Sequence, residues 1–459
     1  MDEIFCNQCF CAENHENKLI AAKKLSVIAV LQGRECNEKE LLYRNRQLEP
    51  QTSNDLCKHQ GTSGVVCGHL STNYPRGLTS QRSNFPPKNQ SRLPGDLFFK
   101  HICYHHANKI KHSKRKGLII MKRNTNIWIN GIMGVITGDA LGCPVQFRSR
   151  EEVASHPVTG MRGYGTFNLP EGSWTDDSSL TLALLESIRR VKGIDLDDIM
   201  GNFMKWLYDG EFTPYGYSYD VGNGTMEAID RYRRTKKAKK CGGERDWNNG
   251  NGSLMRILPA CIYCSEMLHR GELSERAAVQ TIHEVGGLTH AHIRAKIACG
   301  LYFFMADSIL TGEGSLRSRL QAGLDKGFAF YESYLADKDN LRHYHRLRDL
   351  DRFAAVPAER IKSSGYVVDT LEAAVWSLIT TESFTAENFT TENFTAENFT
   401  TDGFEQALLK AVNLGDDSDT VGAVTGGLAG LYYGYDQIPA SWLDAIKRRE
   451  WIEGLCDMN

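Results

Sequence analysis

Gly131-Ile-Met-Gly134-Val-Ile-Thr-Gly138-Asp139-Ala-Leu-Gly142 spaces its glycines so that one face of a helix carries no side chains. A bare face admits another backbone at short range, so the stretch reads as a helix packed closely in a core. Around it, from Asn126 onward, apolar residues recur three and four positions apart between loops rich in Gly and Asn. That spacing predicts helices over Leu180 to Val191, Ile199 to Tyr208, Leu254 to Leu268, Ile293 to Leu310, Val367 to Ile379, Phe404 to Leu414, Val421 to Tyr433 and Trp442 to Leu455. Alternating strand patterns are nearly absent. Residues 126–459 are therefore expected to form a compact all-α, multi-helix domain large enough to enclose a cleft.

Composition agrees with a folded protein: of 459 residues, 41% are hydrophobic and 24% charged, which excludes collagen, coiled coil and wholesale disorder. The net charge of -2 hides a division. Residues 1–125 hold 20 Lys and Arg against 10 Asp and Glu, and the remainder holds 34 against 46. This basic head has little periodicity beyond Leu19 to Leu31 and is expected to be a largely irregular, poorly ordered extension. Its run from Lys109 to Arg123 reads as a solvated linker, with nucleic-acid contact as the sharper alternative. Seven Cys and seven His also lie there. Cys6-x2-Cys9 is an acceptable zinc half-site, but no second half follows at regular spacing, so an extension without metal is preferred.

The apolar run Leu25 to Leu31 is far too short to span a bilayer, no stretch approaches the roughly 18 to 20 uncharged apolar residues a span requires, and no membrane contact is expected. Met1-Asp-Glu-Ile-Phe-Cys lacks the features of a secretory signal, so an intracellular, cytoplasmic setting with Cys as thiols is expected. Within the helical body, Phe384, Phe389, Phe394, Phe399 and Phe404 recur every five residues, a period that suits neither helix nor strand. Residues 384–403 are accordingly expected to be a low-complexity loop insert.

Three polar clusters lead into the expected helices. Gly172-Ser-Trp-Thr175-Asp176-Asp177-Ser precedes Leu180, and Gly415-Asp416-Asp417-Ser418-Asp419-Thr420 precedes Val421. Capping explains any one of these residues. Together they offer more carboxylate and hydroxyl oxygen than capping requires, and crowded carboxylates repel unless a cation or proton intervenes. Oxygen-only ligands favour Mg²⁺ or Mn²⁺ over zinc. In the third cluster, Asn248, Asn249, Gly250, Asn251 and Gly252 stand before Ser253 and Leu254, where bare N–H groups would suit a diphosphate, although Asn and Gly are also ordinary loop residues.

Gly138-Asp139-Ala140-Leu141-Gly142, Trp174-Thr175-Asp176-Asp177, Gly250-Asn251-Gly252-Ser253-Leu254-Met255-Arg256, Thr289-His290-Ala291 and Gly415 to Thr420 resemble, in order, the motifs of the ADP-ribosylglycohydrolase family. The resemblance covers about Asn126 to Leu455. It implies an all-α fold with a dinuclear metal cleft holding two Mg²⁺ (or Mn²⁺), ligated by Thr175, Asp176, Asp177, Asp417, Asp419 and Thr420. It further implies that Asn248 to Gly252 lie along the diphosphate and that His290 lines the ADP-ribose pocket; a cap or an ordinary surface His is the plainer reading of that residue. Asp220, before a Gly turn, is a further candidate beside its reading as an Asx turn.

The implied activity is Mg²⁺-dependent hydrolysis of the bond between ADP-ribose and an acceptor, with Asp417 or Asp176 as the base that activates water. The substrate would be an ADP-ribosylated protein side chain or a small ADP-ribosyl compound. One residue departs from the pattern: Gln146 stands where many family members carry a Glu that reaches the cleft. An amide binds substrate but transfers no proton, which keeps open a non-catalytic ADP-ribose-binding protein as the alternative.

Overall fold

A computed structural model describes residues 126–381 and 403–458 of the chain. The basic head with its Cys and His residues, and the Phe repeat up to residue 402, lie outside them. In chain order the α-helices are α1 (Ile127–Gly142), α2 (Arg150–Ser155), α3 (Asp176–Val191), α4 (Leu196–Asp209), α5 (Asn223–Thr235), α6 (Leu258–His269), α7 (Glu275–Gly286) and α8 (Ile293–Thr311). They continue with α9 (Leu316–Tyr334), α10 (Asp339–Arg342), α11 (Leu350–Ala354), α12 (Val367–Thr381), α13 (Gly403–Val412), α14 (Ser418–Tyr433), α15 (Ala440–Ala445) and α16 (Arg449–Leu455). The fold is all-α. Among the described residues the sole β pairings are isolated bridges, Gly243 with His290 and Gly250 with Tyr366. No described helix is long and apolar enough to cross a membrane.

Two helices form the axis. α1 and α14 are buried nearly all round, as a helix surrounded by others must be. They run antiparallel with their glycine faces pressed together. A Cβ added to Gly138 would lie 2.0 Å from the Gly422 carbonyl oxygen, and one added to Gly426 would lie 2.1 Å from that of Gly134. No side chain fits at such separations, so the seam depends on glycine at both helices. Its register sets the end of α1 against the start of α14, where the Ser418 hydroxyl donates to the Gly142 carbonyl at 3.0 Å.

The remaining helices follow the apolar spacing with three informative differences. The helix expected from Leu254 begins at Leu258, because Pro259 has no N–H to donate and is accommodated in a first turn. The stretch Trp442 to Leu455 is two helices, α15 and α16, separated where Arg448 takes φ +56°. α5, α7 and α9 carry narrow buried stripes among many charges, such as Ala278, Val279, Ile282 and Val285 in α7, a weaker signal than the dense apolar runs. The six described cysteines are all buried thiols, as expected for the body.

Gly138→Ala is expected to force the α1–α14 seam apart and lower unfolding stability by about 3 kcal/mol, whereas Gly201→Ala, with nothing within 4 Å of its new methyl, should be neutral or stabilising by up to about 1 kcal/mol. Urea unfolding of both variants measures this. Equal stability of Gly138→Ala and the parent would show that the seam tolerates a side chain.

Candidate active site

Where α1 ends and α14 begins, α3 also starts, and its entry is organised by one buried carboxylate. Asp139 accepts the Thr175 N–H at 3.0 Å, the Thr175 hydroxyl at 3.0 Å, the Ser178 N–H at 3.0 Å and the Ser178 hydroxyl at 2.6 Å. It therefore caps α3 from a different helix, satisfying amides that the first turn leaves free. Burial pushes its pKa up to about 6, and the bonds from Ser178 and Thr175 pull the other way. Asp139 had appeared only as part of a motif; the available signal was a charged residue on an otherwise apolar helix.

The two Asp-rich clusters meet at this point. The Thr175 hydroxyl lies 3.3 Å from Asp177 Oδ2 and 3.4 Å from Asp419 Oδ2, and the Thr420 hydroxyl lies 3.4 Å from Asp177 Oδ2. Thr175, Asp176, Asp177, Asp419 and Thr420 are all buried, and Asp417 is half-buried. Capping accounts for one of them, since Thr175 is the N-cap of α3 and its hydroxyl accepts the Asp177 N–H at 3.4 Å, but Asp417 occupies the N-cap of α14 without a side-chain cap bond. Its Oδ2 accepts instead from the Asn251 amide at 2.6 Å.

The charge balance is severe. Burial, reinforced by neighbouring carboxylates, holds Asp176, Asp177 and Asp419 well above the ordinary carboxylate range. Burial also raises Asp417 and Asp220. None of these forms an ion pair with Lys, Arg or His among the described residues. Asp177 Oδ1 and Asp419 Oδ1 are buried with no hydrogen-bond partner. Such a group must take protons or cations. Its donors are all oxygen, the set that hard divalent ions prefer. As the side chains stand, no three or more His, Cys, Asp or Glu among the described residues form a group that could hold a metal ion; the close contacts are carboxylate to threonine hydroxyl. Those hydroxyls and the two unpartnered oxygens are the donors an ion would take, so the residue types fit Mg²⁺ or Mn²⁺.

Gln146 has a defined place. Its Nε2 donates to Asp220 Oδ2 at 2.9 Å. A Glu there would set two carboxylates face to face, whereas the amide neutralises nothing and repels nothing.

The Asn–Gly loop lies beside the cluster but not directly at a helix start, since α6 begins six residues after Gly252. Asn251 binds both Thr370 Oγ1 at 2.9 Å and Asp417. Asn248 and Asn249 turn to their own loop, Asn248 accepting the Arg245 N–H and Asn249 donating to the Asp246 carbonyl. The N–H groups of Gly250 and Gly252 have no hydrogen-bond acceptor among the described residues.

The ring of His290 lies against this loop: a Cβ on Gly252 would come within 2.7 Å of its Cε1. The buried Arg256 guanidinium donates to the Thr289 hydroxyl oxygen at 2.8 Å, and that hydroxyl lies 2.9 Å from His290 Nδ1. Arginine only donates, so the Thr289 proton is free to point at Nδ1 and leave Nε2 protonated. Burial, with the nearby Arg256 charge, pushes His290 down to about 3, and the ring is neutral. A cavity of about 590 Å³ lined by Arg190, Lys205, Phe212, Arg448 and Trp451 contains none of these groups.

Residues 128–458 match the family model described as ADP-ribosylglycohydrolase. The chain is 29% identical over 326 residues to the ADP-ribosylarginine hydrolase Tri1 of Serratia proteamaculans (strain 568), covering 71% of this chain and 76% of that protein. It is 29% identical over 320 residues to the ADP-ribosyl-[dinitrogen reductase] glycohydrolase of Rhodospirillum rubrum, covering 69% and 89% respectively. A solved structure described as an ADP-ribosylglycohydrolase-related protein complex is 28% identical, with a TM-score of 0.54 over 73% of this chain and 97% of that one.

The unfolded chain protonates His290 near its ordinary value of about 6.5, while the buried ring resists until about 3. The stability tied to this group is whole above about pH 6.5 and is lost as pH falls toward 3. Between pH 7.5 and pH 5, the parent should lose about 2 kcal/mol more than His290→Gln in urea unfolding. Equal losses would mean that the ring takes its proton in the folded state.

Proposed function

This chain belongs to the ADP-ribosylglycohydrolase family, and on that premise we propose that it releases ADP-ribose from arginine side chains of modified proteins, using two Mg²⁺ or Mn²⁺ ions. The observation that carries this reading is the convergence of Thr175, Asp176 and Asp177 with Asp417, Asp419 and Thr420 into a largely buried group with no counter-charge among the described residues. Two relatives named as ADP-ribosylarginine hydrolases supply the choice of acceptor.

Thr175, Asp176, Asp177, Asp417, Asp419 and Thr420 would hold the ions, which when bound supply positive charge for the ribose hydroxyls and the attacking water. The chain's own groups do the rest. The Gly250 and Gly252 N–H groups, without an acceptor among the described residues, would be donors for the diphosphate, and His290 Nε2–H, neutral and fixed by Thr289, would add a donor without adding charge. The Asp176 side chain makes no hydrogen bond among the described residues, and burial together with the neighbouring carboxylates raises its affinity for a proton, which suits its carboxylate, once ionised, to take the proton of the water. Asp417, its carboxylate tied to Asn251, is the poorer base and the better ligand.

Positive charge on the ribose ring, as its bond to the acceptor nitrogen breaks, is stabilised by the surrounding carboxylates. The leaving group needs no acid. A guanidinium is already protonated at neutral pH, so it departs as neutral guanidine and recovers a proton afterwards. Gln146, which can donate a hydrogen bond but no catalytic proton, is then compatible with turnover. An intracellular location accords with the buried thiols of the body.

Release of ADP-ribose from an ADP-ribosylated arginine peptide tests the reading. EDTA should abolish release and Mg²⁺ or Mn²⁺ restore it, Asp176→Asn should slow it by about 10² to 10⁴-fold, and added Mg²⁺ should raise the melting temperature of the parent but not of Asp419→Asn. Undiminished release in EDTA would remove the ions from the reading. ADP-ribose binding without any release would return the protein to a non-catalytic binder.

A further inference from the structure

Residues flanking the Gln146–Asp220 pair carry a run of aromatic rings that the reaction described above does not use. Phe147 follows Gln146, Tyr219 precedes Asp220, and Phe167 joins them, with ring centroids 6.4 Å from Phe147 and 5.6 Å from Tyr219. Tyr217 continues the run at 6.0 Å from Tyr219, and Tyr215 lies 6.2 Å beyond. Two of the rings are anchored. The Tyr219 hydroxyl donates to the Trp174 carbonyl, and the Tyr215 hydroxyl pairs with Ser173 at 2.6 Å, both in the segment that enters the carboxylate cluster. Phe147 and Tyr217 are 66% and 52% exposed, large apolar faces that a chain ordinarily covers.

Phe147 also sits at φ +64°, a left-handed backbone that a bulky aromatic residue rarely adopts. Asp220 at +54° and Asp416 at +54° share that conformation. The three strained positions are linked: the Phe147 N–H donates to the Asp416 carbonyl at 2.6 Å, and Asp220 accepts Gln146. Strain of this kind persists where the surrounding structure holds it and a function repays it. Here it holds a phenyl ring in solvent beside the carboxylates.

The contacts give an order along the site: the Gly250–Gly252 loop, Asn251 on Asp417, the Asp177–Asp419 group, then Asp220 on Gln146, and last the rings. With ADP on the loop and ribose at the carboxylates, the far end is left to the acceptor. On that reading of the reaction, we propose that Phe147, Phe167, Tyr219 and Tyr217 form the acceptor subsite, with ring faces taking the arginine guanidinium and the peptide backbone around it. A cation on a π face is attracted by the ring quadrupole, and the acidic cluster alongside favours a positive acceptor in the same place.

Phe147→Gly separates this role from a structural one, because glycine accepts the left-handed backbone without strain. Its melting temperature should be unchanged or higher. KM for the ADP-ribosylated arginine peptide should rise about 5- to 30-fold, with kcat and the calorimetric affinity for free ADP-ribose unchanged. Tyr217→Ala should act in the same direction. An unmodified arginine peptide should inhibit the parent better than its citrulline counterpart, and Phe147→Gly should erase that preference. An unchanged KM and an unchanged inhibitor preference in both variants would overturn the subsite while leaving the hydrolysis reading intact. Absence of ADP-ribose release by the parent protein would overturn both.

Discussion

Backbone contact along the glycine seam between α1 and α14 fixes everything that follows. At Gly134, Gly138, Gly422 and Gly426 the two helices approach more closely than any side chain permits, and a close-packed seam of this kind has one register rather than a range. That register brings Asp139 at the end of one helix beside Asp419 at the start of the other. α3 then arrives through Thr175 and Ser178, whose amides and hydroxyls are claimed by Asp139. A shift of one turn along the seam would carry Asp139 about 5.4 Å away and leave those donors buried without acceptors.

The electrostatics of the site divide into satisfied and unsatisfied parts. Asp139 is buried but surrounded by donors, and its task is structural. Asp177 and Asp419 each retain a buried oxygen without a partner, and the Asp176 side chain makes no hydrogen bond among the described residues. Nothing among the described residues offsets that combination, which therefore calls for protons or cations. On the other flank the arrangement is reversed: Arg256 is a buried cation stacked 4.7 Å over Phe203 that donates to Thr289 beside His290, and burial, with a smaller contribution from the Arg256 charge, keeps that ring uncharged.

Much of this arrangement was legible before any coordinates. Apolar spacing located α3, α4, α8, α12, α13 and α14, and the bare glycine face announced a tight helix contact. The stripes of α5, α7 and α9 were too narrow to stand out among charged neighbours, and Pro259 moved the start of α6. At the site, the two Asp-rich helix starts were visible as an excess over what capping needs. Asp139 was not, because a residue that accepts its bonds from a helix 36 positions away leaves no local pattern. Gln146 and Asp220 each stood out singly, but their pairing, 74 residues apart, leaves no local pattern either.

What the amino-acid order determined alone was local: helix periodicity, bare faces, oxygen-rich helix starts, and the family those motifs resemble. These are properties of neighbours within one turn, and they survive in an isolated segment. Which oxygens share a cluster, which are left without partners, and which rings stand beside them was decided only by tertiary structure. The reason is physical: burial removes the water that would otherwise serve every polar group equally, so a carboxylate acquires a role from what replaces that water, and the replacement comes from far along the chain.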